Sequence, residues 1–193
     1  MSIRLNLKAA FAALLRSSDS ADVEASKREP SSIVFLLRKP DFVNLEQLRT
    51  AGERAFWVPF STGNSTDFCV FTKVFFTLMQ IGPDVLSFMF CTTPYLDEKP
   101  SAFGRAMPLP VQRAAWKEHS AWMAVNYARG PADPDTQSAI LSKLCIEMLG
   151  GNCTGAYVPG EQLFIPNDSS LLAALQQNAS LLSYLNPPPY SSR

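Results

Sequence analysis

Hydrophobic positions recur along the chain with the periods of short strands and amphipathic helices. The run SIVFLL near residue 35 is continuous and apolar, begins with β-branched residues, and predicts a buried strand. Asn44 and Gln47 have the spacing of a capping box at the start of a helix, LEQLRTAGERAF. The run WVPF that follows predicts a second, brief strand.

An aromatic-rich region in the middle of the chain predicts a β-hairpin. The runs DFCVFTKVFFTLMQI and VLSFMFCTTPY flank a Gly82-Pro83-Asp84 turn. Both alternate faces of the first run are apolar: one carries Phe68, Val70, Val74 and Phe76, and the other Cys69, Phe71, Phe75 and Met79. A strand of this kind is covered on both sides, so we expect it to lie centrally in the sheet. Lys73 is the exception, and we expect its side chain either to reach the sheet edge or to point into a pocket.

The second half of the chain alternates helices with strands. Pro110 suits the first turn of a helix over VQRAAWKEH, and SAWMAVNYA follows as a strand. Asp133 caps the next helix, DTQSAILSKLCIEML, which Gly150-Gly151 ends. GAYVPGEQLFIP predicts a second hairpin, and Asp168 caps a final helix. Hairpins interleaved with helices predict an α+β fold with a mixed, mostly antiparallel sheet flanked by helices.

The N-terminal stretch MSIRLNLKAAFAALLR predicts an amphipathic helix. Its apolar side carries Ile3, Leu7, Ala10, Phe11 and Leu14, whereas Arg4 and Lys8 lie on another side. The uncharged segment from Ala9 to Leu15 is barely long enough for the apolar core of a signal peptide, Arg16 follows at once, and no small-residue cleavage site follows. No apolar run of the sequence is long enough to span a bilayer. We expect this helix to dock on its own domain, on a protein partner or on a second copy. Contact with a membrane surface is the alternative.

These patterns divide the chain into four segments. Residues 1–17 are predicted to form the N-terminal amphipathic helix, residues 18–32 a polar linker, residues 33–178 a single α+β domain, and residues 179–193 a Pro-rich tail. The tail contains PPPY, which matches the pattern that WW domains bind in the polyproline II conformation. This pattern is short and often occurs by chance, so we expect a frayed, extended tail, and binding to a WW domain is the alternative.

Composition and charge narrow the class of function. Hydrophobic residues make up 47% of the chain and charged residues 18%, which is typical of a soluble globular protein. Seventeen basic residues balance seventeen acidic ones and no basic cluster is present, so we expect no nucleic-acid binding. The four cysteines lack CxxC spacing and there is a single histidine, so we expect no metal, no cofactor and reduced thiols in a cytoplasmic protein. Cys153, in the turn-like GGNCTG, is expected to be the most exposed of the four.

The stretch WKEHSAW contains the only histidine, His119, between Trp116 and Trp122. In one interpretation the tryptophans wall an aromatic pocket around His119. In the other they fill the core, and His119 ends a helix whose dipole favours its protonated form. Cys91 and His119 would be the nucleophile and base of a Cys/His enzyme. Cys91 lies mid-strand among bulky neighbours, however, a setting typical of an inert core thiol.

Three stretches of the C-terminal half resemble a known family. AAWKEHSAWMAVNY, SAILSKLCIEML and CTGAYVPGEQLFIP are similar to the domain of unknown function 4261, an uncharacterised bacterial family. The pattern of that family falls here on His119, Lys143, Gly155 and Tyr157. The resemblance implies a shared fold and a bacterial origin, and it implies no activity.

The sequence therefore favours a non-enzymatic binding or protein-interaction module of the accessory or immunity type. The nucleotide-binding and hydrolase motifs GxGxxG, P-loop, HExxH and GxSxG are missing from the sequence. The alternative is a small Cys/His-dependent hydrolase or transferase, with His119 and Cys91 as its catalytic pair. The expected ligand-pocket residues are Trp116, His119, Trp122, Lys73 and Tyr157.

Overall fold

The computed structural model describes residues 31–62, 67–73, 76–95, 107 and 109–185, without the side chains of residues 73 and 181–185. The strands in these residues are β1 (Ser32–Leu37), β2 (Phe68–Lys73), β3 (Phe76–Ile81), β4 (Asp84–Cys91), β5 (Ala121–Arg129), β6 (Cys153–Val158) and β7 (Leu163–Pro166). They form one antiparallel sheet in the order β2-β3-β4-β5-β1-β6-β7. The predicted α+β class is confirmed, and the described sheet is antiparallel throughout rather than mixed.

The helices begin where the sequence predicts them. They are α1 (Leu45–Phe56), α2 (Pro110–Lys117), α3 (Pro134–Met148) and α4 (Ser169–Leu185). The side chain of Asn44 accepts from the backbone N–H of Gln47 at 2.9 Å, and the Gln47 side chain accepts from Asn44 N in return. Asp133 accepts from the backbone of Asp135 at 3.0 Å, which supplies one of the orphan donors of the first turn with a partner.

Helices cover both faces of the sheet, but unequally. Helices α1, α3 and α4 pack on what we call the first face, where alternate residues of β1 and β5 enter the larger core cluster. These residues are Ile33, Phe35, Leu37, Met123, Val125 and Tyr127. Helix α2 packs on the second face, where a smaller cluster includes Val34, Leu36, Ala124, Tyr157 and Phe164. Alternate residues of β1 and β5 therefore enter two separate cores.

The predicted strand WVPF is wrong. Trp57 ends α1 in the left-handed conformation, with φ 60°, and its side chain is 86% exposed. Pro59 has no backbone N–H to give to a ladder. Phe60 is buried, and its ring centroid lies 6.2 Å from that of Phe56 and 5.5 Å from that of Phe68. The apolar residues of this run therefore close the end of a helix instead of pairing as a strand.

The strand that we expect at the sheet centre lies at an edge of the described sheet. The apolar run predicted as one strand forms two, β2 and β3, which pair with each other. The Gly82-Pro83-Asp84 turn joins β3 to β4 as predicted. The backbone of Ser61 bonds to the outer side of β2, accepting from Val70 N at 2.8 Å. An apolar run without Gly or Pro gives no sign of its turn, which explains the error.

Several expectations fall on residues outside the described part. These are the helix of residues 1–17, the linker up to residue 30, the PPPY motif and the side chain of Lys73. Helix α4 continues to Leu185, past residue 179, where we expect the tail to begin. Among the residues that the structure describes, no helix has the length and apolarity needed to cross a membrane.

Candidate functional site

Four of the five predicted pocket residues lie together in a packed aromatic cluster on the second face. Tyr95, at the end of the segment after β4, is the hub of this cluster. Its ring centroid lies 5.2 Å from that of Trp122 and 5.8 Å from that of Tyr157. The Trp116 ring meets Tyr157 at 5.8 Å and Phe164 at 5.3 Å, both nearly edge-on. Rings in such mutual contact fill the space between α2 and the sheet, so this arrangement favours core packing.

His119 is buried beside Trp116, and both of its ring nitrogens have backbone partners. Its Nε2 accepts from the backbone N–H of Tyr95 at 2.9 Å, while Nδ1 contacts the carbonyl oxygen of Trp116. A carbonyl oxygen only accepts, so Nδ1 carries the proton, and a backbone N–H only donates, so Nε2 is bare. The imidazole is thus the neutral Nδ1–H tautomer. It ties the segment after β4 to the end of α2, which stops at Lys117 rather than at His119 as the sequence suggests.

Cys91 takes part in a different contact. Its Sγ lies 3.1 Å from Thr93 Oγ1, whereas the partners of the His119 nitrogens are the backbone atoms Tyr95 N and Trp116 O. A nucleophilic thiol needs a base with a nitrogen available to accept its proton. The two nitrogens of His119 are already engaged, so the described geometry does not assemble the Cys91–His119 pair.

The four thiols are free, and their exposure differs from the expectation. Cys69, Cys145 and Cys153 are buried, and Cys91 is partly exposed. Cys91, not Cys153, is therefore the most accessible of the four. Burial raises the pKa of the Cys153 thiol to about 11. A thiol that is protonated at neutral pH is a poor nucleophile.

A cleft of about 450 Å³ opens on the first face, between α1, the end of α3 and the sheet. Its floor is apolar, and its rim is polar and charged. The floor includes Phe35, Leu37, Ala51, Met123, Met148 and Cys153, and the rim includes Asp41, Glu46, Gln47, Thr50, Arg54, Glu147 and Asn152. An apolar concavity with a few polar groups around it is the usual form of a ligand site. This cleft is the candidate functional site.

The spacing of polar residues along α1 and a hydrogen-bonded loop after β1 shape the cleft. Glu46, Thr50 and Arg54 are four residues apart along α1, so they share one side of the helix above the floor. The loop after β1 is held by Asn152, whose side chain accepts from Lys39 N and donates to Lys39 O, each at 3.0 Å. Arg38 Nη1 donates to Gly151 O at 2.7 Å and fixes the same end of the cleft.

The charges on the rim are not equivalent. Arg49 bonds to the carboxylate of Glu46, and this hydrogen bond lowers the pKa of Glu46. For Asp41, Glu147 and Arg54, in contrast, the described part of the chain provides no side-chain ion pair. These two carboxylates and one guanidinium are thus available to a ligand, and they leave a small excess of negative charge.

None of the cleft residues is predicted as a site residue from the sequence. The spacing of Glu46, Thr50 and Arg54 is visible in the sequence, but a polar stripe on a helix is by default a solvated face. Their relation to Glu147 and Asp41 depends on the packing of α1 against α3. No local pattern encodes that packing.

The residues that the family resemblance selects make packing contacts within the fold. The Nζ of Lys143 lies 5.7 Å from the ring centroid of Phe56, between α3 and α1, and desolvation lowers its pKa. Gly155 lies so close under Phe164 that a Cβ at this position would be 2.5 Å from the ring. Lys143 thus reaches from α3 to a ring of α1, and Gly155 permits the close approach of β7.

Metal binding and similarity to known proteins give no further indication of the function. No cluster of three or more His, Cys, Asp or Glu side chains within the described ranges is arranged to hold a metal ion. No family model, curated protein or solved structure matches the chain.

Proposed function

We propose that the protein is a non-enzymatic binding module, and that the first-face cleft accepts an apolar side chain of a protein partner flanked by a basic residue. The observation that carries this proposal is the combination of an apolar floor with a charged rim. An apolar anchor that fills a concave pocket is a common source of binding energy at protein interfaces.

The charge on the rim selects the kind of partner. Asp41 and Glu147 lack described ion pairs and lie on the same rim, so a Lys or Arg next to the anchor gains two carboxylates. Arg54 reduces this attraction and disfavours a partner with several basic residues. Complementary charges of this kind mainly set the specificity and the association rate.

Catalysis by Cys91 and His119 is not supported by any observation on the second face. The imidazole nitrogens bond to backbone atoms, and the thiol contacts Thr93. We retain as proposals the accessory or immunity-type role, the distant relation to the domain of unknown function 4261 and a cytoplasmic location. The four free thiols support a reducing compartment.

The test is a selection from a random peptide display library on the immobilised full chain. Selected peptides are then titrated by calorimetry against two variants, Thr50→Trp in the cleft and Gln176→Trp on the exposed side of α4. We expect peptides that pair an apolar residue with Lys or Arg, binding at least about tenfold more weakly to Thr50→Trp and unchanged to Gln176→Trp. A difference of tenfold corresponds to about 1.4 kcal/mol.

Two outcomes count against the proposal. One is a failure to enrich any peptide on the correctly folded chain. The other is equal binding of the selected peptides to Thr50→Trp and to the native protein, since the contact then lies outside the cleft.

A further inference from the structure

The second face carries apolar side chains over strands β2 to β4 as well as over β1 and β6, with Gln80 and Ser87 as polar neighbours on β3 and β4. Strand alternation places Phe71, Phe76, Leu78, Val85 and Met89 on this part of the second face. All five are partly exposed. Except for Met89, these side chains neither belong to the two core clusters nor pack against them. We call these five residues the second-face patch.

An apolar sheet face is more stable when another segment packs on it and excludes water. Where one face of an antiparallel sheet meets water, the strands alternate apolar and polar residues. The five residues of the second-face patch are apolar and partly exposed, and apolar surface left uncovered in this way is characteristic of an interaction site. Among the helices that the structure describes, α1, α3 and α4 pack on the first face, and α2 lies against β6 and β7.

The described chain begins beside this patch. Ser32 Oγ donates to Asn126 Oδ1 at 2.7 Å, and Asn126 Nδ2 lies 3.5 Å from Ser87 Oγ. The strand registers continue this row from Ser87 to Leu78 and from Leu78 to Phe71. Residues 1–30 therefore enter the fold at one end of a row that leads across the second-face patch.

The length of the N-terminal segment suits the distance. At about 4.8 Å between strands, β3 lies three strands and about 14 Å from β1. The thirteen residues 18–30 reach up to about 43 Å when extended. A helix over residues 1–17 would be about 25 Å long, enough to lie across β2, β3 and β4.

We propose that residues 1–17 dock on the second-face patch of the same chain. The sequence of this segment predicts an amphipathic helix, and its apolar side matches the apolar sheet in chemistry. That side carries Ile3, Leu7, Ala10, Phe11 and Leu14. The docking does not depend on the proposed ligand of the cleft, because the cleft opens on the other face.

Paramagnetic relaxation in the full chain tests this docking. A spin label is attached at Ala9→Cys, opposite the apolar side of the segment, in a Cys91→Ser background that leaves only buried native thiols. We expect the label to broaden the methyl signals of Leu78 and Met89 and to spare Leu172, which is exposed on α4. Absence of broadening at Leu78 and Met89, or equal broadening at Leu172, overturns the proposal.

Two controls identify the occupant of the patch. Phe11→Asp should abolish the broadening, whereas the matched variant Ala12→Asp, outside the apolar side, should preserve it. A mixture of spin-labelled chain and isotope-labelled chain without a spin label should show no broadening. Broadening in that mixture means that a second copy covers the patch, and equal loss in both Asp variants excludes docking through the apolar side. Either result overturns the proposal.

Discussion

The two faces of the sheet are built from the same strands, but the second face is closely packed around His119 and the first face has an open cleft. On the second face, around His119, rings meet rings and both imidazole nitrogens bond to backbone atoms. On the first face, α1 and the end of α3 leave a cleft of about 450 Å³ above Phe35 and Met123. The rare residues of the chain lie in the closed region, and unremarkable polar residues line the open one. Rarity of a residue type is thus a weak guide to a site when core packing also uses that type.

Gly155→Ala tests how tightly the second face is closed, and we expect the largest effect on stability. The new Cβ would lie 2.5 Å from the Phe164 ring and 2.6 Å from the backbone oxygen of Ile165, which has little freedom to move. We expect a loss of about 2 kcal/mol or more in the free energy of unfolding, measured by denaturant titration.

Gly160→Ala is the matched control for this substitution. A Cβ at Gly160 would meet no atom within 4 Å, so we expect a change below about 0.5 kcal/mol. If both variants are equally stable, β7 is free to move away from Gly155, and the closed character of the second face is wrong.

Some features of both faces follow from the sequence, and others do not. Helix starts follow from local chemistry, so Asn44, Pro110 and Asp133 were sufficient to place three of them. The alternation of side chains along β5 places Met123 on one face and Ala124 on the other. Sheet order is different, because no local signal distinguishes the edge strand β2 from a central one. The cleft likewise arises from the approach of α1 to α3, which no motif records.

His119→Phe tests the structural role of the histidine, and we expect an intermediate effect. This variant keeps an aromatic ring beside Trp116 but removes the hydrogen bonds to Tyr95 N and Trp116 O. Two lost hydrogen bonds correspond to about 2 kcal/mol or slightly less. Amide hydrogen exchange at Tyr95 should also accelerate.

Glu118→Ala is the neighbouring control. Glu118 forms an exposed ion pair with Arg38 at 3.2 Å, which contributes at most about 1 kcal/mol. A His119→Phe variant as stable as the native protein would show that the imidazole bonds are dispensable. The histidine would then again need a functional explanation.

Thiol alkylation reports how accessible a thiol is on each face, with the smallest perturbation of the fold. Cys91 is partly exposed, whereas Cys153 lies in the floor of the cleft and is buried. At pH 7.5 a thiol with a pKa of about 11 is ionised in only about three molecules in ten thousand. Peptide mass spectrometry after iodoacetamide treatment should therefore detect modification at Cys91 first.

The pH dependence of the reaction at Cys153 then reports on the cleft. Since burial raises its pKa, the rate at Cys153 should rise about tenfold per pH unit until the pH approaches 11, as long as the fold persists. Thr50→Trp should slow this reaction by filling the cleft above the thiol, and Gln176→Trp should leave it unchanged. Modification of Cys153 before Cys91 in the native protein would mean that the cleft floor is more open than the second face. In that case the cleft would merge with the interior, and its floor would no longer provide a fixed surface for an apolar anchor.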